Sequence, residues 1–198
     1  MLVSGNGTNL QAIIDAAETG RIDAEVSAVV SDQAGAPALE RARRHKIASA
    51  VIERSRFESR DAFEEAIAAE FKGHGVELVC LAGFMRILGG RLLKEFPGSI
   101  INIHPALLPS FGGLDAQRQA FEYGAKLSGC TVHFVDEKID HGPIIMQAAV
   151  EVREGDTVEA LKERILKEEH RIYPQAIQLI AEKRVAIEGR RVKIKQGG

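Results

Sequence analysis

Short apolar runs and amphipathic stripes take turns along this chain, and that alternation narrows the possible folds more than any other feature. Leu10, Ile13, Ile14 and Ala17 recur at helical spacing and stop before Gly20, and residues 24–30 then read as a strand. Residues 37–45 return to helix and 48–52 to strand, and Ser59 is placed to cap a helix carrying Phe63, Ile67 and Phe71. The runs 78–82 and 99–103 are central strands. Residues 127–135 and 144–152 form a later strand pair, Thr157 opens a long helix reaching Ala181, and 185–195 makes a terminal hairpin or edge pair around Gly189. Pro174 is expected to kink that long helix, because proline removes one backbone donor. Such alternation predicts the α/β class: one domain over residues 1–198, with a mostly parallel twisted sheet, helices on both faces and an antiparallel C-terminal strand region.

Bulk properties exclude more than they identify. With 26 basic and 28 acidic residues the formal charge is −2, so no general nucleic-acid surface is expected. No signal peptide or long apolar span is visible, which predicts a soluble, cytoplasmic protein away from membranes. Cys80 and Cys130 lie in apolar runs without metal-ligand spacing and read as reduced, buried thiols.

Chemistry concentrates where the 99–103 strand ends in Asn102-Ile103-His104-Pro105. Strand alternation sends the Asn102 and His104 side chains to the same side, at the carboxyl end of a strand, where α/β sheets bind ligands. A neutral donor, a titratable donor and a carboxylate from the 136–143 loop suit stabilisation of an oxyanion and transfer of a proton. The turn Gly5-Asn6-Gly7-Thr8-Asn9 can present free amides to a phosphate, or it can be a simple strand-to-helix turn with Thr8 or Asn9 capping a helix from Leu10. Leu10 stands where a dinucleotide fingerprint needs its third glycine. Glu169 falls in the one gap on the apolar face formed by Val158, Leu161, Ile165, Ile172 and Ala176, so it must be paired, with an arginine for instance, or face a cavity that His170 would border. Met85-Arg86-Ile87-Leu88 reads either as core packing beside a surface arginine or as a seat for a flat heteroaromatic ring. His45 and His74 look solvated, His133 looks like a satisfied core histidine, and His141 is near enough in sequence to tune Asp140. No cluster has metal-ligand spacing.

Asn102-x-His104-Pro105-Ala106-Leu107-Leu108-Pro109, with the downstream Asp140-x-Gly142-Pro143-Ile144, resembles the folate-dependent formyltransferases. Residues 4–11 and 81–88 are similar to the branch of that family acting on phosphoribosylglycinamide, and the likeness runs from Val3 to about Ile187. The resemblance implies a Rossmann-like formyltransferase fold, 10-formyltetrahydrofolate as co-substrate, no metal, and a monomer or homodimer working on small molecules in purine biosynthesis. It implies that Asn102, His104 and Asp140 are the catalytic trio. Gly7, Thr8, Asn9 and Glu169 would then hold phosphoribosylglycinamide. Arg60, Met85, Arg86, Ile87, Leu88 and Asn102, with Asp136, Glu137, Lys138, Ile139 and Asp140, would hold the folate.

Two departures from the family pattern carry expectations. Only three residues precede Ser4, so the first strand is expected to be short or trimmed, and Gly112, where many bacterial members have proline, is expected to loosen its loop. The alternatives are a 10-formyltetrahydrofolate hydrolase, which would add an N-terminal regulatory domain, and a non-catalytic nucleotide-binding module, which would have no use for the trio.

Overall fold

In a computed structural model, which describes residues 1–196, the chain forms one nine-stranded sheet flanked by six α-helices. The last two residues of the expected 1–198 domain lie outside the described residues. Along the chain run β1 (Leu2–Val3), α1 (Thr8–Glu18), β2 (Ala28–Ser31), α2 (Pro37–Arg44), β3 (Ala48–Val51), α3 (Arg60–Gly73), β4 (Val79–Ala82) and α4 (Gly90–Glu95). There follow β5 (Ile100–His104), α5 (Ala116–Tyr123), β6 (Leu127–Phe134), β7 (Ile144–Glu151), α6 (Val158–Ala181), β8 (Val185–Glu188) and β9 (Arg191–Ile194). The strand order is β3-β2-β1-β4-β5-β6-β7-β9-β8. The first five positions are parallel, β6 turns antiparallel to β5 and to β7, and β9 lies parallel to β7 and antiparallel to β8. This is the α/β architecture that the alternation predicts, including its antiparallel end.

Two apolar clusters cover the two faces. One gathers Leu10, Ile13 and Ile14 of α1, Ala38 and Ala42 of α2 and Leu161, Ile165 and Ile172 of α6 against Cys80, Ile101 and Ile103. The other gathers Phe63, Ile67 and Phe71 of α3 and Leu92 of α4 against Val79, Leu81 and Ile100. Neighbouring strand residues therefore serve opposite clusters, as the pleat requires. Leu2 and Val3 are fully buried between β2 and β4. Each such side chain contributes roughly 1.5 to 3 kcal/mol through burial.

Several boundaries differ from the sequence reading. Strand β2 begins only at Ala28, although Ala24 and Val26 still pack on the core. Helices α4 and α5 escape notice because one is six residues long and the other buries only Ala116 and Ala120, too weak a stripe to register as a period. Helix α6 runs unbroken through Pro174, which is itself buried. Ser59 caps α3 as expected, its Oγ accepting from the Ala62 amide at 3.1 Å.

Candidate active site

Strand β5 delivers Asn102 and His104 on the face opposite Ile101 and Ile103, and both side chains meet groups from distant segments. The His104 ring is 4 % exposed. Its Nε2 lies 2.9 Å from the Phe111 carbonyl, and its Nδ1 lies 3.3 Å from Asp140 Oδ2. Both ring nitrogens thus face acceptors, which a doubly protonated ring would satisfy together. Asp140 sits at φ +47°, in the left-handed region, where aspartate is better tolerated than most side chains. Its Oδ2 also accepts from the Gly113 amide at 2.8 Å. The loop expected to be loosened by Gly112 is therefore held on either side of that glycine, at Phe111 by His104 and at Gly113 by Asp140.

His133 is the satisfied core histidine that the sequence suggests, and it also joins this group. It is 2 % exposed and stands opposite Asn102 in the β5–β6 register. Its Nδ1 donates to the Phe134 carbonyl at 2.7 Å, which leaves Nε2 as an acceptor for the Asn102 amide at 3.3 Å. Asp140 Oδ1 is 3.9 Å from that same Nε2. Burial pushes the His133 pKa below its ordinary value of 6.5, against the opposing pull of the Phe134 carbonyl and Asp140. No signal in the sequence marks this partnership, because the place of His133 directly across from Asn102 is set by the pairing of β5 with β6.

A lowered histidine pKa gives a signed prediction. The neutral ring contributes stability in full above the ordinary pKa, and this is lost as pH falls through the lowered folded value, because the unfolded chain binds the proton first. Between about pH 7 and about pH 5, His133→Gln should show a shallower decline of Tm than the parent protein. Parallel declines in the two proteins, followed by thermal unfolding, would show the ring to be solvated.

The glycine turn after β1 is built differently from expectation. The helix begins at Thr8, with Gly7 as a left-handed N-cap at φ +67° and without a side-chain cap. A Cβ at Gly7 would stand 2.6 Å from Ala38 Cβ, so both backbone angle and space demand glycine. The first helical bond runs from the Gln11 amide to the Gly7 carbonyl, leaving the Thr8, Asn9 and Leu10 amides without intrahelical acceptors. Asn9 does not turn its side chain outward; its Nδ2 donates to Glu169 Oε2 at 2.7 Å. Glu169 is thus paired with an amide rather than an arginine. Burial raises its pKa, and the Asn9 hydrogen bond opposes that shift. Arg41, unremarked in the sequence, donates from Nε to the Asn6 carbonyl at 2.8 Å and from Nη1 to Gln11 Oε1 at 3.2 Å. A groove of about 380 Å³ runs here past Thr8, Gln11, Arg41 and His170. Tyr173, one turn beyond Glu169, is fully buried and donates to the Leu81 carbonyl at 2.8 Å, with the Ile101 carbonyl at 3.2 Å. That contact ties α6 to the two central strands.

The 83–89 loop leaves β4 through Gly83 and is held from four directions. The Met85 amide donates to Ser4 Oγ at 3.1 Å, and Arg86 Nε donates to the buried Asp32 carboxylate at 2.6 Å. Arg60 Nη2 donates to the Ile87 carbonyl at 2.8 Å, and Glu64 accepts from the Gly89 amide. Arg60 and Arg86 therefore hold the loop with groups that the resemblance assigns to folate. Met85 and Ile87 are 65 % and 58 % exposed, whereas Leu88 is buried, so only the first two present apolar surface to a ligand. In the 136–140 loop, Asp136 accepts from the Lys138 amide at 3.0 Å and meets His141 Nδ1 at 2.7 Å. His141 is thus paired with Asp136 rather than with Asp140, and Arg190 Nη2 donates to its carbonyl at 2.7 Å. Glu137, Lys138 and Ile139 face solvent.

The two thiols are buried and free, and burial pushes their pKa values up to about 11 for Cys80 and about 12 for Cys130, so neither is poised as a nucleophile. Among the described residues no group of three or more His, Cys, Asp or Glu is arranged to hold a metal ion, and no helix is long and apolar enough to cross a membrane.

Comparison with known proteins adds independent findings. Residues 1–177 match the family model described as formyl transferase. The chain is 46 % identical over 178 residues to phosphoribosylglycinamide formyltransferase of Bacillus subtilis, covering 90 % of this chain and 91 % of that one. It is 48 % identical over 181 residues to the trifunctional purine biosynthetic protein adenosine-3 of Gallus gallus, covering 91 % of this chain but only 18 % of that protein. Among solved structures, glycinamide ribonucleotide transformylase 1 from Symbiobacterium toebii superposes with a TM-score of 0.97 at 57 % identity, covering 98 % of this chain and 92 % of that one.

Proposed function

This chain belongs to the formyl transferase family, and we propose that it transfers the formyl group of 10-formyltetrahydrofolate to the glycine amine of 5-phosphoribosylglycinamide. The products are formylglycinamide ribonucleotide and tetrahydrofolate, in de novo purine biosynthesis. The observation that carries this reading is the convergence of Asn102, His104 and Asp140 at the carboxyl end of β5, next to β4, which runs into the 83–89 loop, and one strand further from β1, which runs into the glycine turn.

The substrate amine attacks the formyl carbon, forming the new C–N bond and placing negative charge on the formyl oxygen. Asn102, oriented by His133, and a protonated His104 donate to that oxygen. His104 Nε2 is held by the Phe111 carbonyl, an acceptor that must yield its place if this nitrogen is to meet the oxyanion. Asp140 faces the other ring nitrogen and stabilises the charged ring. As the tetrahedral intermediate collapses, the bond to the folate nitrogen breaks and the proton lost by the amine passes to that nitrogen through a water held near Asp140.

The phosphate of the ribonucleotide fits the Thr8 and Asn9 backbone amides beyond Gly7, where the helix dipole adds to the attraction. Glu169 accepts from the glycinamide part. The pterin fits the backbone of Met85, Arg86, Ile87 and Leu88 and the 136–140 loop, with Met85 and Ile87 as apolar cover and Arg60 toward the distal part of the folate. The reaction requires no metal and takes place in the cytoplasm, in a monomer or homodimer.

The purified protein with both substrates should yield formylglycinamide ribonucleotide, with the same rate after chelation of metals. Folate hydrolysis alone, unchanged by added glycinamide ribonucleotide, would overturn the transferase in favour of a hydrolase. Binding of the ribonucleotide with no turnover of folate would leave only a nucleotide-binding module.

A further inference from the structure

We propose that Glu64 is a positioning residue for the folate, acting through the 83–89 loop; this rests on the assignment of that loop to the pterin. Glu64 lies in the first turns of α3, is 1 % exposed, and touches three donors. Its Oε1 accepts from the Gly89 amide and from Arg60 Nε at 3.0 Å, and its Oε2 accepts from the Leu92 amide at 3.1 Å. Gly89 and Leu92 are the N-cap and third residue of α4, so the carboxylate caps the helix into which the loop runs. Arg60, held in place by Glu64, extends Nη2 to the Ile87 carbonyl at 2.8 Å. One buried side chain thereby sets both the end of the loop and, through Arg60, its exposed middle.

The chemistry at this point admits only an acceptor. All three neighbours of Glu64 are N–H donors, and an ionised carboxylate accepts at both oxygens without offering a proton. An amide in the same place would turn an NH₂ group against an N–H, leaving buried donors unsatisfied. The packing is equally restrictive, since a Cβ added at Gly89 would stand 2.7 Å from Arg60 Nε and 2.7 Å from Glu64 Oε1. Gly89 has a negative φ of −97°, so alanine there is acceptable to the backbone and acts only by pushing the Arg60–Glu64 pair aside. Nothing in the composition of α3 marks Glu64 for this role, because its neighbours Asp61 and Glu65 are of the same type and face solvent.

The test compares Glu64→Gln, Glu64→Asp and Gly89→Ala with the parent protein. Amide hydrogen exchange of the apo protein across residues 86–92 should quicken by about tenfold or more in Glu64→Gln and Gly89→Ala, with α1 and β5 unchanged, since a lost hydrogen bond to a charged group corresponds to about that factor. In the transfer assay both variants should raise KM for 10-formyltetrahydrofolate by about tenfold and leave KM for the ribonucleotide within about twofold, with Glu64→Asp intermediate. Equal increases in both KM values, or a lower Tm with unchanged KM for folate, would reduce Glu64 to a structural helix cap and overturn the proposal. Quickened exchange with unaltered binding of an antifolate pterin would instead show that the loop is fastened by Glu64 but does not hold the pterin, which removes the loop assignment as well. If Glu64→Gln does not fold, Gly89→Ala alone decides, because it retains the carboxylate.

Discussion

Asp140→Asn should lower kcat by about 10² to 10⁴ while leaving the Tm within a few degrees of the parent, as loss of a positioned charge beside an acid–base group does. Asparagine is the right replacement because it accepts the left-handed backbone at φ +47°, where alanine would add strain. It preserves the volume between His104 and Gly113 but removes the charge that faces Nδ1 of the ring. His104→Ala should fall in the same range. The double variant should lose much less than the product of the two single losses, because the carboxylate acts through the imidazole. The measurement is single-turnover formyl transfer at saturating substrates. Losses that multiply would separate the two residues and leave Asp140 as the anchor of the Phe111–Gly113 loop.

Glu169→Gln should raise KM for the ribonucleotide by about 10- to 100-fold, which corresponds to the roughly 1.5 to 3 kcal/mol of a charged hydrogen bond. Stability should move the other way. The folded pKa of Glu169 is raised by burial, so its ionisation favours the unfolded chain. The stability attached to the protonated form is complete below the ordinary carboxylate pKa and is lost as pH rises through the folded value. Near neutral pH, Glu169→Gln should therefore unfold at a Tm equal to or above that of the parent, while binding the ribonucleotide more weakly. Asn9→Ala should do the opposite for stability, because it removes the hydrogen bond to the buried carboxylate, at a cost of about 1 to 3 kcal/mol. A Glu169→Gln protein that is both less stable and unimpaired in binding would assign the residue to packing alone.

Much of this protein was legible without its tertiary structure, because local rules reach far in a chain of alternating elements. Periodicity of the Leu10–Ala17 and Phe63–Phe71 stripes located helices, and the buried runs of β4 and β5 located the centre of the sheet. The pleat alone put Asn102 and His104 on one side of β5. What proximity in sequence could not determine is which distant groups those side chains meet. The pairing of β5 with β6 made His133 the acceptor for the Asn102 amide, and the packing of α6 on α1 brought Glu169 to Asn9 across 160 positions. The approach of α3 to the 83–89 loop gave Arg60 and Glu64 their partners, and the end of β2 brought Asp32 to Arg86. A propensity or a period acts over a few residues, whereas the partner of a buried polar group is chosen by burial itself, which leaves such a group to satisfy its hydrogen bonds with whatever the folded chain places beside it.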